Sequence, residues 1–244
     1  MMRERRAIVV GASSGMGREV ALLLLADGWQ VGVAARRGDA LHSLQAQFPN
    51  QVEVQVIDVN SPDAPSLLAS LIEKMGGIDL YFHASGVGKQ NMQLDPTIEH
   101  NTVLTNALGF THMIDCAYAY MSRHEGGHIA VISSIAGTKG LGVAPSYSAT
   151  KAFQNNYIEA LRQQATMRHL PITFTDLRPG FVDTALLDDG NHYPMLMSPK
   201  QVAQSMLGAI YSKKRVAVID WRYRLLTALW RRVPRLLWRH LPIK

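Results

Sequence analysis

The sequence predicts an α/β protein with a doubly wound parallel sheet, in which helices cover both faces of the sheet in three layers. Short apolar runs rich in β-branched residues alternate with helical patterns along the chain, as this architecture requires. A glycine-rich turn joins the first run to the first helix, where such sheets carry a ligand site. With 244 residues, the chain is long enough for one large domain.

The first strand and the turn after it predict a phosphate site. Residues 7–10 (AIVV) read as a buried strand, and residues 18–27 read as a helix that stops near Gly28. Glycines between them let the backbone approach a ligand, and the helix start offers free N–H groups. The candidate binding residues are Gly11, Ser13, Ser14, Gly15, Met16 and Gly17. A glycine-rich turn without a ligand is the alternative.

The second strand ends in two arginines. Residues 30–35 (QVGVAA) read as a buried strand that runs into Arg36 and Arg37, and the first acid follows at Asp39. In dinucleotide-binding sheets an acid here holds the ribose 2′-hydroxyl, whereas an arginine suits a 2′-phosphate. The pair therefore favours NADP (as NADPH) over NAD as the cofactor. Two solvated loop arginines are the alternative.

The third strand, residues 52–59, ends in Asp58 and Val59, which are candidate cofactor contacts. The Asp58 carboxylate could accept a hydrogen bond from an adenine amino group. The alternative, which has nearly equal weight, is that Asp58 caps the turn before Pro62.

A helix over residues 63–75 and a fourth strand over residues 78–83 continue the alternation. The candidate cofactor residues after this strand are Ala84, Ser85 and Gly86. Asp95 and Pro96 then suit the N-cap and first turn of a helix that runs toward residue 121. Asn106 lies inside this helix, where an amide is mildly unfavourable. It is a candidate site residue, and an ordinary exposed helix asparagine is the alternative.

The second half of the chain brings a reactive set of side chains. Residues 127–134 read as a fifth strand that ends in Ser134. Residues 146–167 read as a long helix that carries Tyr147 and Lys151 four positions apart, on one face. The positive charge of Lys151 is expected to lower the pKa of the Tyr147 phenol, which then exchanges a proton near neutral pH. The Ser134 hydroxyl reaches a group held near Tyr147.

The sixth strand, residues 171–178, is followed by a turn and an irregular stretch. The candidate cofactor residues here are Pro179, Gly180, Val182 and Thr184. The mixture of apolar and acidic residues over 181–198 predicts a lid over a mostly apolar site, and a surface loop is the alternative. A short strand at 216–219 completes a single domain over residues 1–220.

The C-terminal tail (residues 221–244) has a different pattern from the domain. Seven apolar residues between 225 and 237 fall on one side of a helical projection, and five arginines fall on the other. Pro234 is expected to split the tail into two short helices. We weigh two roles for this basic amphipathic segment: packing of its apolar side on the domain or a second subunit, which is favoured, and contact with an anionic membrane through residues 221–240.

Composition narrows the class of protein. The net charge of +6 arises in the tail, because residues 213–244 hold ten Lys or Arg and one acid. No recognition motif accompanies this charge, so a nucleic-acid partner is not expected. The single cysteine, Cys116, excludes an intramolecular disulfide and a cysteine metal cluster, and no metal is expected. The sequence has no apolar run long enough to span a membrane, and we expect a cytoplasmic protein, with peripheral membrane association as the alternative.

These motifs together resemble the short-chain dehydrogenase/reductase family, in its main single-domain branch with a Rossmann fold. The resemblance runs from about residue 6 to about residue 219. The family's glycine motif matches Gly11, Gly15 and Gly17, and its catalytic serine matches Ser134, 13 residues before Tyr147. The family's remaining catalytic residues match Asn106, Tyr147 and Lys151, and its proline-glycine turn matches Pro179 and Gly180, with Thr184 following.

The resemblance implies a role for each matched residue. Ser134 would bind the substrate oxygen, Tyr147 would act as general acid or base, and Lys151 would lower the Tyr147 pKa and bind the nicotinamide ribose. Asn106 would hold a water that links Lys151 to solvent. Two positions depart from the family pattern, since Val10 replaces a threonine and His83 opens a variant of an Asn-Asn-Ala-Gly segment. We interpret His83 as a hydrogen-bonded strand-end histidine without a catalytic role.

The resulting prediction is an NADP-dependent oxidoreductase that transfers hydride between NADPH and a small, largely apolar carbonyl or alcohol substrate. The resemblance also implies a homo-oligomer, a dimer or tetramer. Two alternatives are a non-catalytic NADP-sensing protein and a membrane-associated reductase of lipid-like substrates. The complete set of four catalytic residues favours the enzyme.

Overall fold

A computed structural model describes residues 4–185, 187 and 193–241, and in this part of the chain seven parallel strands form one sheet. The strands are β1 (Arg6–Val10), β2 (Gln30–Ala35), β3 (Val52–Val56), β4 (Leu80–His83), β5 (Gly127–Ile132), β6 (Ile172–Arg178) and β7 (Val216–Val218). Their order is β3-β2-β1-β4-β5-β6-β7, and every pairing is parallel. The predicted doubly wound parallel sheet is confirmed.

Helices follow most strands and cover both faces. They are α1 (Gly15–Ala26), α2 (Gly38–Gln47), α3 (Ala64–Lys74), α4 (Pro96–Val103), α5 (Phe110–Arg123), α6 (Pro145–Met167), α7 (Pro199–Tyr211), α8 (Trp221–Arg232) and α9 (Arg235–Trp238). A π-helical segment (Leu104–Gly109) joins α4 to α5, and a 3-10 turn (Ile135–Thr138) follows β5. None of the helices described is long and apolar enough to span a membrane.

Alternate side chains of each strand feed two separate cores. Ala7 and Val9 of β1 face α1, α2 and α7, whereas Ile8 and Val10 face α3, α5 and α6. Both faces of the sheet are buried, so the strands read as continuous apolar runs. The strand order reverses between β1 and β4, and this reversal opens a crevice at the carboxyl ends of the strands, where ligands bind in such sheets.

Two helices are absent from the sequence prediction. Helix α2 buries only Leu41 and Leu44, so its apolar periodicity is weak. Helix α7 has the stronger signal: Ser198 caps it by accepting a hydrogen bond from Gln201 N, a proline opens it, and its buried residues follow helical spacing. Strand β3 ends at Val56, three residues earlier than predicted.

Candidate active site

A cleft of about 350 Å³ lies at the carboxyl ends of β1, β4, β5 and β6. Most of its lining is apolar, with Ile132, Val143, Phe181, Met195 and Leu226 among the contributors. Four of the predicted site residues with reactive or ligand-binding groups also line it: Ser134, Tyr147, Lys151 and Thr184. The fold therefore brings together residues that lie up to 50 positions apart in the sequence.

Ser134 follows β5 and caps the 3-10 turn after it. Its Oγ accepts a hydrogen bond from the N–H of Ala136 at 3.1 Å, which fixes the side chain and leaves the hydroxyl proton for another acceptor. The turn is also tied to the next strand, because Ile135 N donates to the carbonyl of Pro179 at 3.1 Å. Ser134 is thus held as a donor toward the cleft.

Tyr147 and Lys151 occupy the first turns of α6, as predicted. Lys151 Nζ lies 5.7 Å from the centroid of the Tyr147 ring. Partial enclosure in the cleft raises the pKa of Tyr147, and a hydrogen bond with Ser134 opposes that rise. The direction of this pKa is opposite to the expectation that Lys151 lowers it, because burial of the phenol is the larger effect.

Lys151 is buried and hydrogen-bonded on two sides. Its Nζ donates to the carbonyl of Ile132 at 3.1 Å and to Oε1 of Gln154 at 3.0 Å. Burial lowers the pKa of Lys151 to about 8, although the carboxylate of Asp176 acts in the opposite direction. Lys151 consequently titrates much closer to physiological pH than an exposed lysine does.

Asn106 is fully buried in the π-helical segment, which excludes the exposed-asparagine alternative. Its side-chain Oδ1 accepts from Val87 N at 2.9 Å, and its Nδ2 donates to Val87 O at 2.7 Å. The amide thereby pins the loop after β4, which passes over the cleft. Its Nδ2 also donates to Thr150 Oγ1 at 3.3 Å, and the main-chain carbonyl of Asn106 remains for another donor.

That donor is Gln154, a residue that the sequence analysis overlooks. Gln154 is fully buried, its Nε2 donates to the main-chain carbonyl of Asn106 at 2.9 Å, and its Oε1 accepts from Lys151. One amide therefore connects two predicted catalytic residues. The signal in the sequence is the polar residue on the buried face of α6, three positions after Lys151.

The glycine turn lies against the segment after β4, which joins two parts of the predicted cofactor site. A Cβ at Gly11 would lie 2.7 Å from Ser85 N, and a Cβ at Gly17 would lie 2.3 Å from the carbonyl oxygen of Gly11. Both positions therefore exclude any larger residue. Gly15 faces the side chain of Thr184, so the turn also meets the loop after β6.

Arg37 reaches the glycine turn, and Arg36 has no such contact. The Arg37 guanidinium donates to Ser13 Oγ at 3.0 Å and to Ser14 Oγ at 2.5 Å. Both arginines are exposed at the end of β2. The contacts place the Arg37 charge beside the predicted phosphate site, at the position that distinguishes the two nicotinamide cofactors.

Asp58 and Val59 follow β3, the edge strand of the sheet, and neither residue lines the cleft. Asp58 Oδ1 accepts from Asn60 N at 3.0 Å, so the carboxylate caps the turn as the alternative interpretation proposes. The second carboxylate oxygen is not used in that bond. Val59 is buried.

Ala84 and Gly86 line the cleft beside the candidate catalytic residues, whereas His83 is not part of its lining. His83 is fully buried, and its Nδ1 shares a hydrogen bond of 2.9 Å with the Tyr81 hydroxyl. Its Nε2 has no hydrogen-bond partner among the described residues. Burial, with a smaller contribution from Lys151, lowers the pKa of His83 to about 3, so the ring is neutral. One of its two ring nitrogens is therefore hydrogen-bonded. Because His83 does not line the cleft, we assign it no catalytic role.

The predicted lid, residues 181–198, is described only in part, because residues 186 and 188–192 lie outside the described chain. The two ends of the lid pair through a bridge between Val182 and Met197. The rings of Phe181 and Tyr193 lie 4.7 Å apart, and both line the cleft. The described part of this segment therefore forms one wall of the cleft.

The C-terminal tail forms another wall, which the sequence analysis does not predict. Tyr223 of α8 is fully buried against Gly180, and its hydroxyl accepts from Phe181 N and donates to the carbonyls of Pro194 and Met195. Leu226 and Trp230, on the same helix, line the cleft. The tail therefore shapes the place where a substrate would lie.

Comparisons with known proteins identify the family of this chain. A statistical model of the short chain dehydrogenase family matches residues 5–193. An uncharacterized oxidoreductase of Myxococcus xanthus is 32% identical over 240 residues, covering 96% of this chain and 94% of that protein. An uncharacterized oxidoreductase of Mycobacterium tuberculosis is 29% identical over 226 residues, covering 89% of this chain and 88% of that protein.

Solved structures show the same fold. A short-chain dehydrogenase from Streptomyces avermitilis superposes with a TM-score of 0.82 at 20% identity, over 93% of each chain. A variant of actinorhodin polyketide ketoreductase, crystallised with NADPH, superposes with a TM-score of 0.77 at 23% identity, over 88% of this chain and 95% of that chain.

Proposed function

This chain belongs to the short-chain dehydrogenase family, and from that premise we propose that it is an NADPH-dependent reductase of carbonyl compounds. The observation that carries the proposal is the convergence of Ser134, Tyr147 and Lys151 in one apolar cleft beside the glycine turn. Most of the surface that lines this cleft is apolar, so the substrate we propose is largely apolar.

The residues present fit a nicotinamide dinucleotide. Gly11 and Gly17 keep the turn free of side chains, and the start of α1 offers N–H groups to a pyrophosphate. A Cβ at Gly86 would lie 3.6 Å from Lys151 Nζ, so the glycine keeps the space beside the lysine open for a ribose. Asp58 and Val59 would hold the adenine end, and Pro179, Gly180 and Val182 would lie along the nicotinamide end.

The cofactor, when bound, supplies the hydride that reduces the carbonyl carbon. Two side chains of this protein stabilise and neutralise the negative charge that develops on the carbonyl oxygen. Ser134 donates a hydrogen bond to that oxygen, and Tyr147 gives it a proton. The raised pKa of Tyr147 keeps the phenol protonated at neutral pH, as proton donation requires. The Lys151 ammonium then stabilises the phenolate that remains.

Arg37 is the residue we propose for cofactor choice, because it alone of the two arginines contacts the glycine turn. Replacement of Arg37 by Gln is expected to weaken NADPH binding about 10- to 100-fold, because the variant loses one charged hydrogen bond to the 2′-phosphate. NADH binding should change by less than about twofold. The measurement is a fluorescence titration of both cofactors.

Arg36→Gln is the matched control, since Arg36 has the same charge and exposure without the contact. Its NADPH affinity should fall less than that of Arg37→Gln. Equal losses for NADPH and NADH in Arg37→Gln would contradict the assignment.

Gln154 is a positioning residue in this proposal. Its side-chain oxygen accepts a hydrogen bond from the Lys151 ammonium, and its Nε2 donates to the main-chain carbonyl of Asn106. Both hydrogen bonds are buried, and together they hold the ammonium in place. Because the oxygen of Gln154 accepts from Lys151, it favours the charged form of the lysine. Gln154 therefore sets both the position and the protonation of the group that supports Tyr147.

Two replacements of Gln154 are expected to shift the alkaline limb of the pH–activity profile in opposite directions. Gln154→Met should lower kcat about 10-fold and move the alkaline limb of the pH profile to lower pH, because the ammonium loses an acceptor. Gln154→Glu should move the same limb to higher pH, because a carboxylate favours the ammonium. Gln163→Met, at an exposed position of α6, is the control and should leave the profile unchanged. Identical limbs in all three variants would reject the role.

We also propose a contact between copies of the chain through α4, the π-helical segment and α6. Several large apolar side chains are exposed there: Val103, Leu104, Leu108 and Phe153. Burial of this face against a second copy would remove it from water, as in a homodimer.

A non-catalytic NADP sensor with this fold has no need for the complete catalytic set, so the enzyme is the function we favour.

A further inference from the structure

Helix α8 has two apolar faces, and the described residues cover only one of them. Tyr223 is fully buried, and Leu226 and Trp230 turn toward the cleft. Leu225 and Leu229, one position before each of these two, are 58% and 54% exposed. The seven apolar residues that the sequence analysis assigns to one side of a helix therefore divide between the cleft and the surface.

The exposed face continues beyond Pro234 into α9. We call it the exposed stripe, and it consists of Trp221, Leu225, Leu229, Leu236, Leu237 and Leu241. The first three follow the helical spacing of one residue per turn. The two helices are held in place on the domain, because Lys139 Nζ donates to the carbonyl of Val233 at 2.8 Å and Trp238 Nε1 donates to that of Gly140 at 2.7 Å. The stripe is thus a fixed surface.

Arginines are interspersed along the chain with the residues of the exposed stripe. The tail contains six of them and no acid between residues 221 and 244. Arg222 pairs with Asp220. The remaining five are exposed: Arg224, Arg231, Arg232, Arg235 and Arg239. Fixed apolar side chains accompanied by exposed cations form the pattern of a surface that lies in the headgroup region of an anionic membrane.

We propose that the exposed stripe docks on the surface of an anionic lipid bilayer. The leucines and Trp221 would enter the boundary between headgroups and acyl chains, and the arginines would pair with lipid phosphates. The charge favours this occupant over a second copy of the chain. A twofold contact would bring the same patch against itself and set the arginine clusters of both copies against each other.

Docking in this way bears on the substrate, and this step rests on the proposed function. Helix α8 would lie between the bilayer and the cleft, with Leu225 and Leu229 toward lipid and Leu226 and Trp230 toward the substrate. Leu196, next to the cleft-lining Met195, is also exposed. An apolar carbonyl compound dissolved in the membrane would then reach the apolar cleft without crossing water. The substrate class we infer is lipid-soluble ketones or aldehydes.

The test is flotation of the full-length protein with vesicles of phosphatidylcholine containing about 30 mol% phosphatidylglycerol, against vesicles of phosphatidylcholine alone. We expect at least about 10-fold more protein on the anionic vesicles. Leu225→Gln combined with Leu229→Gln should reduce that binding about 10-fold, and Arg231→Gln combined with Arg232→Gln should reduce it most at low salt. Met167→Gln, at an exposed apolar position at the far end of α6, should bind as the wild type does.

Two results would overturn the proposal. One is wild-type protein that does not float with anionic vesicles. The other is a leucine double variant that floats normally or loses oligomeric mass in light scattering, since the stripe would then be a protein interface. Tyr147→Phe separates this test from the proposed function, because an inactive enzyme with an intact stripe should still bind the vesicles.

Discussion

Replacement of Tyr147 by Phe will lower kcat/KM for carbonyl reduction by about 10³-fold or more, and NADPH will bind with an affinity within about twofold of the wild type. The variant removes the only atom that the proposal uses to protonate the carbonyl oxygen. It keeps the ring that packs against Gly88. The measurement is NADPH consumption at saturating substrate, paired with a fluorescence titration of the cofactor.

Tyr157→Phe is the matched control for this variant. Tyr157 lies ten residues further along α6, and its hydroxyl donates to Asp115 away from the cleft. Its activity should stay within about twofold of the wild type. If Tyr147→Phe retained more than about a tenth of wild-type activity, another group would have to supply the proton and the proposed mechanism would fail.

Replacement of Lys151 by Met will lower kcat/KM about 10²- to 10³-fold, because the phenolate left on Tyr147 loses its nearby positive charge. NADPH should also bind less tightly, since Lys151 is the residue we assign to the ribose. The measurement is the pH dependence of kcat/KM in the reductive direction.

The pH profile has a predicted sign. Burial lowers the pKa of Lys151 to about 8, so the wild type loses the ammonium as pH rises through this value. The phenol stays protonated over the same range, because burial raises the pKa of Tyr147. Reductive activity should therefore be full below about pH 8 and fall above it. Lys151→Met should lack this limb, and Lys151→Arg should lack it while keeping more activity, because arginine stays charged. If the alkaline limb were unchanged in Lys151→Met, it would arise from the titration of a group other than Lys151.

The sequence predicts the sheet and the main candidate catalytic residues because the signals for both are local. Short apolar runs identify strands in a sheet covered on both faces. The spacing of Tyr147 and Lys151 on one helix determines which face they share, and no tertiary information is needed for that. The position of Ser134 follows from the end of its strand.

Properties that depend on contacts between distant segments cannot be predicted from local patterns in the sequence. Asn106 suits an exposed helix position by its residue type, yet the π-helical segment turns it into the interior to hold Val87. The direction of the Tyr147 pKa depends on burial of the phenol, which the spacing of residues on α6 does not reveal. A periodic pattern also cannot tell which of two apolar faces of α8 meets the cleft, because both have leucines.

Transfer of deuterium tests the central claim most directly. The protein is incubated with NADPH deuterated at C4 of the nicotinamide and with a panel of apolar ketones and long-chain aldehydes, and the products are analysed by mass spectrometry. The proposed function predicts an alcohol with one deuterium on the former carbonyl carbon for the wild type, and no such product for Tyr147→Phe. Tight NADPH binding without transfer to any member of the panel would contradict the enzyme and favour the cofactor-sensing alternative.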